Sequence, residues 1–425
     1  MVSPDPQRAF AESVVRQLKD AGFIALWAGG CVRDHLLGKT PKDYDVATSA
    51  RPEQVREVFG NRRTLSVGES FGVIVVLPPN REAGQVEVAT FRTDGCYVDG
   101  RRPESVAFST PEQDAQRRDF TINGMFYDPT EQRVLDYVGG ERDLAAGIVR
   151  AIGDPQARMT EDKLRLLRAV RFAATFQFQL DPVTADAIRQ MAGQLNVVSA
   201  ERIAQELRRM LVDPHRERAI ELCEDVGLLP EVLPELRSLV QRPDQWQLAK
   251  TMLRLLLAPN FSVAVATLFE RFVELSASDS TLLLATIGER LKLSNQEVEA
   301  SQWLLKHRHS LDGARELSRA RLKRVLAAPL ADDLLALLRV RDVADGREPT
   351  DALFCQAFLD ATPADEINPA TLMTGDDLKA AGFQPGPKFK VVLDAVRDAQ
   401  LNGEISTTDA AIELALRLAR GSERR

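Results

Sequence analysis

Near residue 150 the sequence changes character, and that change constrains the fold more than any other feature. Before it, short stretches rich in Val and Ile, at 23–28, 44–48, 63–67, 72–77 and 85–91, alternate with turn formers and with helical spacing at 5–21, 31–37 and 52–59. After Pro155 the strand signals stop. Leu, Ala and Val instead recur every three or four residues over 156–177, 183–195, 200–212, 215–226, 248–257, 262–276, 280–292, 294–310, 317–327, 331–344, 349–360, 387–402 and 407–420. Each such stripe needs a partner to cover it, so the second half is expected to be a helical array. The chain is therefore read as α+β, with a head over 1–150 built on a sheet of about five strands, followed by all-α segments at 151–240, 241–345 and 346–425. Polar stretches at Arg242-Pro243-Asp244 and Gly346-Arg347-Glu348-Pro349 are the expected softer joints.

Composition narrows the class of function. With 425 residues, 44% of them hydrophobic, two to four domains with real cores are expected. The 55 Lys and Arg against 62 Asp and Glu leave a net charge of −7, so any nucleic acid must be met by a local basic surface. Cys31, Cys96, Cys223 and Cys355 lie far apart, which points away from a disulfide framework or a zinc knuckle and towards a reducing, cytoplasmic setting. No apolar run approaches the roughly 20 residues of a membrane span, and the first 18 residues have no signal-type core, so neither export nor membrane insertion is expected.

The triplet Asp43-Tyr44-Asp45 carries the most chemical information. Residues two apart on a strand share a face, so both carboxylates would project together while Tyr44 turns into the sheet. Adjacent like charges repel unless a cation lies between them, and hard oxygen donors suit Mg²⁺ bridging to substrate phosphates. Two-metal phosphoryl transfer uses such a pair. The same triplet also fits a solvated strand edge. Upstream, Gly29-Gly30-Cys31-Val32-Arg33-Asp34 falls between a strand and a helix, where free backbone N–H groups and the forked guanidinium of Arg33 could meet an anion; a plain glycine helix start with a solvated arginine reads equally well.

Five ordered motifs share a resemblance. They are Leu26 to Asp34, Lys42 to Thr48, Glu87 to Asp94, Arg117-Arg118-Asp119-Phe120-Thr121-Ile122-Asn123, and Glu161-Asp162-Lys163-Leu164-Arg165 running on to Ala174. Together they resemble the class II tRNA nucleotidyltransferases and bacterial poly(A) polymerases, within the polymerase-beta-like nucleotidyltransferases, over roughly residues 20 to 235. The resemblance implies a polymerase-beta-like head followed by helical neck, body and tail. It implies Mg²⁺ on Asp43 and Asp45, nucleotide contacts from Gly30 and Arg33, and a second phosphate-binding arginine in Arg118. Asp119 is the first candidate for a third carboxylate and Glu87 the second, and either could instead be the charge partner of Arg117 or Arg118.

The same resemblance implies that Asp162 and Arg165 read the incoming base without a nucleic-acid template, with Arg168 and Arg171 lining the same pocket. Residues 162 and 165 share a helical face, and 168 and 171 extend that row with angular drift; the row also fits an acidic first turn followed by a solvated basic face. As hydrogen-bonding groups, a carboxylate accepts from N4 of cytosine or N6 of adenine, while a guanidinium donates to the neighbouring ring acceptor. Guanine and uracil present an acceptor where the carboxylate needs a donor. The pair therefore admits C and A.

The implied partners are tRNA, CTP and ATP, and the implied reaction is untemplated addition of C and A to the tRNA 3′ end. A poly(A) polymerase of this kind usually carries a Gly-Arg-Arg-Phe-like stretch where this chain has Val67-Gly68-Glu69-Ser70-Phe71-Gly72-Val73. Enzymes that add only CC lack a flexible loop that resembles Asp94 to Val106 here, so the A step is expected. An A-adding specialist has the same parts, and a non-catalytic RNA-binding relict is the reading from a different class. Four histidines with no His-Asp pair leave no metal-dependent phosphohydrolase domain, and His307 and His309 are read as surface residues. Arg202, Arg208 and Arg209 bring positive charge beside the base-reading helix. The stretches at 374–378 and 382–388 suggest a helix pair meeting either a phosphate or nothing but its own fold.

Overall fold

The computed structural model describes residues 5–68, 72–79, 83–94, 106–276, 279–380 and 387–422. By contact the chain divides into two compact units, Met1–Glu235 and Leu236–Arg425.

The first unit is built on a mixed sheet. Its strands are β1 (Ala25–Ala28), β2 (Asp45–Thr48), β3 (Thr64–Gly68), β4 (Val73–Val76), β5 (Val86–Thr90), β8 (Phe126–Asp128) and β9 (Arg133–Leu135), in the order β3-β4-β5-β2-β1-β8-β9, while β6 (Arg92–Asp94) and β7 (Val106–Phe108) form a separate hairpin. The five expected strands are all present, and the short β8 and β9 add two more. Three residues each are too few for a period-two pattern to stand out in a sequence. β2 and β5 run parallel, with Asp45 opposite Glu87, whereas β1 is antiparallel to both β2 and β8.

Burial explains why these segments extend. All four residues of β1 are buried, and β5 alternates, with Val86 and Val88 inside and Glu87 outside. Leu26, Ala28, Ala47, Phe91, Ala115 and Phe126 form the core on one face, where each large side chain contributes roughly 1.5–3 kcal/mol. Trp27, pointing the other way, packs on Tyr44 and Tyr127 with ring centroids 4.8 and 5.5 Å away. Helix α1 (Pro6–Asp20) begins with Pro6 in its first turn and Asp5 accepting from the Gln7 N–H, and lays Phe10, Val14, Val15 and Leu18 inward.

Helices α2 (Gly30–Leu36), α3 (Pro52–Phe59), α4 (Pro111–Gln116) and α5 (Gly140–Ala146) complete the sheet region. The helical part of this unit comprises α6 (Pro155–Glu161), α7 (Leu164–Phe176), α8 (Pro182–Met191), α9 (Ala200–Val212), α10 (Arg216–Asp225) and α11 (Leu229–Val232). Strands β10 (Ile148–Val149) and β11 (Gln179–Leu180) pair in parallel beside α7, which packs on α9 and α10.

The expected continuous helix over 156–177 is interrupted. Asp162 takes an extended conformation, φ −146° and ψ 106°, and ends α6. Its Oδ1 accepts from the Leu164 N–H at 3.0 Å, a local bond that competes with the helical ladder. Asp162 and Arg165 thus meet across a helix junction rather than along one helical face.

The second unit is helical, with its longer helices at Pro243–Leu255, Phe261–Ser276, Ser280–Leu291, Asn295–His307, Arg319–Leu326, Ala331–Ala344, Thr350–Ala361, Pro387–Asn402 and Thr408–Ser422. Phe261–Ser276 is buried continuously from Phe261 to Arg271 and packs against Pro243–Leu255, Asn295–His307 and Ala331–Ala344, as a helix apolar on most of its circumference must. Asn295–His307 opens with a reciprocal cap between Ser294 and Glu297. Pro243 starts a helix, so the expected joint at Arg242-Pro243-Asp244 is its first turn. A smaller core gathers Met373, Leu378, Val392, Val396, Ala411 and Ala415 near the C-terminus. The stretches singled out at 69–71, 95–105 and 382–386 lie outside the described residues. Among the described residues no helix is long and apolar enough to cross a membrane.

Candidate active site

A cleft of about 610 Å³ opens in the first unit, walled by Gly29, Gly30, Arg33, Asp43, Asp45, Arg92, Arg117, Arg118, Asp119, Asn123, Asp162, Arg165, Arg168 and Phe172. Of the site residues singled out from the sequence, Gly30, Arg33, Asp43, Asp45, Arg118, Asp119, Asp162, Arg165 and Arg168 line this one space, while Glu87 and Arg171 do not. Its polar walls and size suit a nucleotide-sized ligand.

The acid pair sits where a strand begins. Asp43 precedes β2 and Asp45 is its first residue; both are exposed, and Tyr44 between them is buried against Trp27, so the alternation expected of a strand already holds at its entrance. Asp45 is open to the cleft yet crowded by protein around it. That crowding, with the negative charges of Asp43 and Glu87, pushes its carboxyl up to about 6, and Arg118 offsets part of the rise. Oxygen donors held this close in one acidic spot fit a hard divalent cation. Among the described residues no group of three His, Cys, Asp or Glu side chains forms a closed metal cage. An ion held by these two carboxylates would take its other ligands from water or phosphate.

Gly29 lies between β1 and α2 with φ +72°, and a Cβ there would stand 3.0 Å from Nη1 of Arg118. Glycine is needed twice over, for the backbone turn and for the close approach of that guanidinium. Arg33 donates from Nη1 to Asn123 Oδ1 at 2.6 Å and from Nε and Nη2 to Asp34 Oδ1 at 2.9 and 2.8 Å. Its guanidinium lies 4.4 Å from the Phe176 ring centre and 5.3 Å from that of Phe172.

Asp114 holds the other pair of arginines. One oxygen receives Arg117 Nη2 at 2.7 Å and the other receives Arg118 Nη2 at 2.9 Å. Burial alone would raise this carboxyl, but the two guanidiniums hold it below its usual range. The sequence reading missed Asp114. It lies on α4, three residues before the Arg117 to Asn123 motif that begins where the helix ends.

Asp119 is engaged on both oxygens. Oδ2 accepts from Arg168 Nε and Nη2 at 2.9 and 2.6 Å, and Oδ1 accepts from Asn123 Nδ2 at 3.1 Å and the Phe120 N–H at 2.8 Å. Burial opposes the charge, but Arg168 and these bonds bring the carboxyl down to about 2. Its charge partner is Arg168, not Arg117 or Arg118. Glu87, exposed on β5 and in register with Asp45, is the carboxylate left facing the pair. Asn123, the last residue of the quoted motif, links Arg33 to Asp119.

The base-reading candidates are held at the α6–α7 junction. Asp162 accepts from Arg202 Nη1 and Nη2 at 3.1 and 2.6 Å, a forked bridge from α9. Arg165 bonds to Glu161, to the Arg158 carbonyl at 2.8 Å and to the Arg117 carbonyl at 3.3 Å. Arg171 is not among the cleft residues: its Nε donates to the buried Glu206 at 2.5 Å, and Glu206 also receives Arg209. At 100° per residue, positions 165 and 171 differ by about 120° on the helix circumference, too far to share one wall. Phe172 carries three cations, with Arg171, Arg168 and Arg33 at 4.1, 5.2 and 5.3 Å from its ring centre.

The first unit thus joins a sheet-built head to a helical segment and sets paired acids beside a glycine turn. The family model described as the Poly A polymerase head domain matches residues 25–150, and that of the probable RNA and SrmB-binding site of polymerase A matches 177–239. The CCA-adding enzyme of Geobacillus stearothermophilus is 42% identical over 219 residues, 51% of this chain and 53% of that protein. The CCA-adding enzyme of Streptococcus thermophilus is 30% identical over 410 residues, 94% of each chain. A crystal structure of the Bacillus stearothermophilus CCA-adding enzyme in complex with CTP superposes with a TM-score of 0.78 at 28% identity, covering 100% of both chains. The chain belongs to the CCA-adding enzyme family. With the first curated relatives, the aligned part spans little more than half of their length.

Proposed function

We propose that this protein adds C and A residues from CTP and ATP to the 3′ end of tRNA, without a nucleic-acid template, to complete the CCA terminus. The observation that carries the reading is the convergence of Asp43, Asp45, Arg33, Arg118, Asp162 and Arg165 on one cleft. In the reaction, the terminal 3′ oxygen bonds to the α-phosphorus, the bond from that phosphorus to the oxygen bridging to the β-phosphate breaks, and pyrophosphate leaves. Arg33 and Arg118 hold the triphosphate beside the Gly29-Gly30 turn. Asp43 and Asp45 would hold Mg²⁺ as a pair, with Glu87 opposite Asp45 adding negative charge beside them and Asp119 outside the set, since it already accepts four hydrogen bonds. When bound, the metal supplies neutralisation of triphosphate charge and polarisation of the attacking hydroxyl.

Asp162 accepts from the exocyclic amine of cytosine or adenine, and Arg165 donates to the adjacent ring acceptor. Arg202 and Glu161 keep these two groups in place before the nucleotide arrives. Arg168 serves the same site indirectly, by holding Asp119. A cytoplasmic setting agrees with Cys31, Cys223 and Cys355, which are buried free thiols.

The test supplies tRNA ending before CCA, after C and after CC, with each of the four nucleotides, plus an oligo(A) primer. Completion of CCA followed by arrest is expected. Addition only after CC would make this an A-adding specialist, and long tails on oligo(A) a poly(A) polymerase. Replacing Asp43 and Asp45 together by Ala should abolish incorporation and leave tRNA binding in place. Incorporation at the parental rate would remove the metal assignment, and a parent that binds tRNA without any turnover would support the RNA-binding relict.

A further inference from the structure

The unit Leu236–Arg425 contains a cleft of its own, about 380 Å³, walled by helices Phe261–Ser276 and Ala331–Ala344 and by the turn carrying His309 and Asp312. Seven carboxylates and three guanidiniums line it. The guanidiniums are committed to particular acids. Arg341 donates to Asp312 at 2.8 Å and to the Arg308 carbonyl at 2.6 Å, Arg347 bridges Asp342 and Asp345 at 2.7 and 3.0 Å, and Arg271 pairs with Asp345.

Glu270 is left over. Its side chain is 1% exposed and neither carboxylate oxygen accepts a hydrogen bond. The nearest cationic atom, Arg271 Nε, lies 3.4 Å away but its N–H also finds no acceptor, so the two touch without hydrogen-bond alignment. A buried carboxylate lacking donors is costly to keep ionised. Burial accordingly holds the Glu270 carboxyl above its ordinary range, even with Arg271 and Arg341 nearby.

What Glu270 lacks is a hydrogen-bond donor. An ammonium group supplies one. It carries three donors on a compact cation, and an aliphatic chain bearing further ammonium groups would run along the remaining carboxylates of the rim.

We propose that this cleft is a binding site for a protonated aliphatic polyamine, with one ammonium donating to the Glu270 carboxylate beside the Arg271–Asp345 pair. This goes beyond the nucleotide reaction and does not depend on it. An amine arriving on Glu270 favours its ionised form, and any proton displaced passes to solvent.

The probe is spermidine, titrated calorimetrically into the full-length protein without nucleic acid at about 150 mM salt, where loose surface attraction is largely screened. One saturable site is expected in the parent and in an exposed-acid control, Asp376→Asn. Glu270→Gln keeps the shape and removes the charge, and should weaken binding at least tenfold while still melting cooperatively. Equal affinity in Glu270→Gln, equal weakening in Asp376→Asn, or no saturable binding by the parent would overturn the proposal. Should Glu270→Gln fail to fold, a crystal of the parent grown with spermidine decides the matter. A ligand nitrogen within hydrogen-bond distance of Glu270 upholds the site, and an amine on the rim alone, or none, overturns it.

Discussion

Carboxylates of similar sequence surroundings do different work here because their neighbours differ. Asp45 is pushed up by the protein crowded around it and by Asp43 and Glu87, whereas Asp119 is drawn down from its ordinary 3.8 to about 2 by Arg168 and Asn123. An acid with a depressed carboxyl contributes stability that is complete above its unfolded value, near pH 4, and is lost as the pH falls through about 2. Asp119→Asn should therefore cost about 2 kcal/mol at neutral pH and flatten the acid limb between pH 4 and 2, read from denaturant midpoints across that range. A slope identical to the parent's would place Asp119 in solvent. Asp162 makes a different prediction. Asp162→Ala removes the acceptor for the exocyclic amine and leaves Arg202 unpaired, so preference for C and A over G and U should fall by about 10² or more in single-nucleotide incorporation with all four triphosphates.

Elements matter at their ends more than along their lengths. The turn from β1 into α2 depends on Gly29, whose backbone lies where side-chained residues are strained and whose missing Cβ admits Arg118. Gly29→Ala should lower stability by about 1–3 kcal/mol, seen as a lower melting temperature, and raise KM for the nucleotide more than it lowers kcat. The junction of α6 and α7 is a second such end. Periodicity at 156–177 reads as one helix because the apolar spacing continues through Asp162, and only the Leu164 N–H and Arg202 bonds reveal why the backbone leaves the helix there. Arg171 follows from the same geometry, since its motif position is plain in the sequence while its circumferential angle takes it to Glu206.

Across the whole molecule, a net charge of −7 sets a condition on RNA binding. Attraction must come from local arginines and lysines, so tRNA affinity should fall steeply and linearly on a log–log plot against salt despite the acidic total, measured by equilibrium binding from about 50 to 200 mM. A flat response would show that phosphate contacts contribute little. Much of the architecture was legible beforehand: the five longer strands, the helical second half, the glycine turn and the acid pair all follow from side-chain period and backbone freedom, which act between residues near in sequence. Which charge meets which was not legible. Asp119 finds Arg168 49 positions away, Asp162 finds Arg202 40 positions away, and Glu87 comes beside Asp45 through parallel pairing of β2 and β5. Those partnerships depend on distance through space, and a chain acquires such distances only when its sheet and helices have packed.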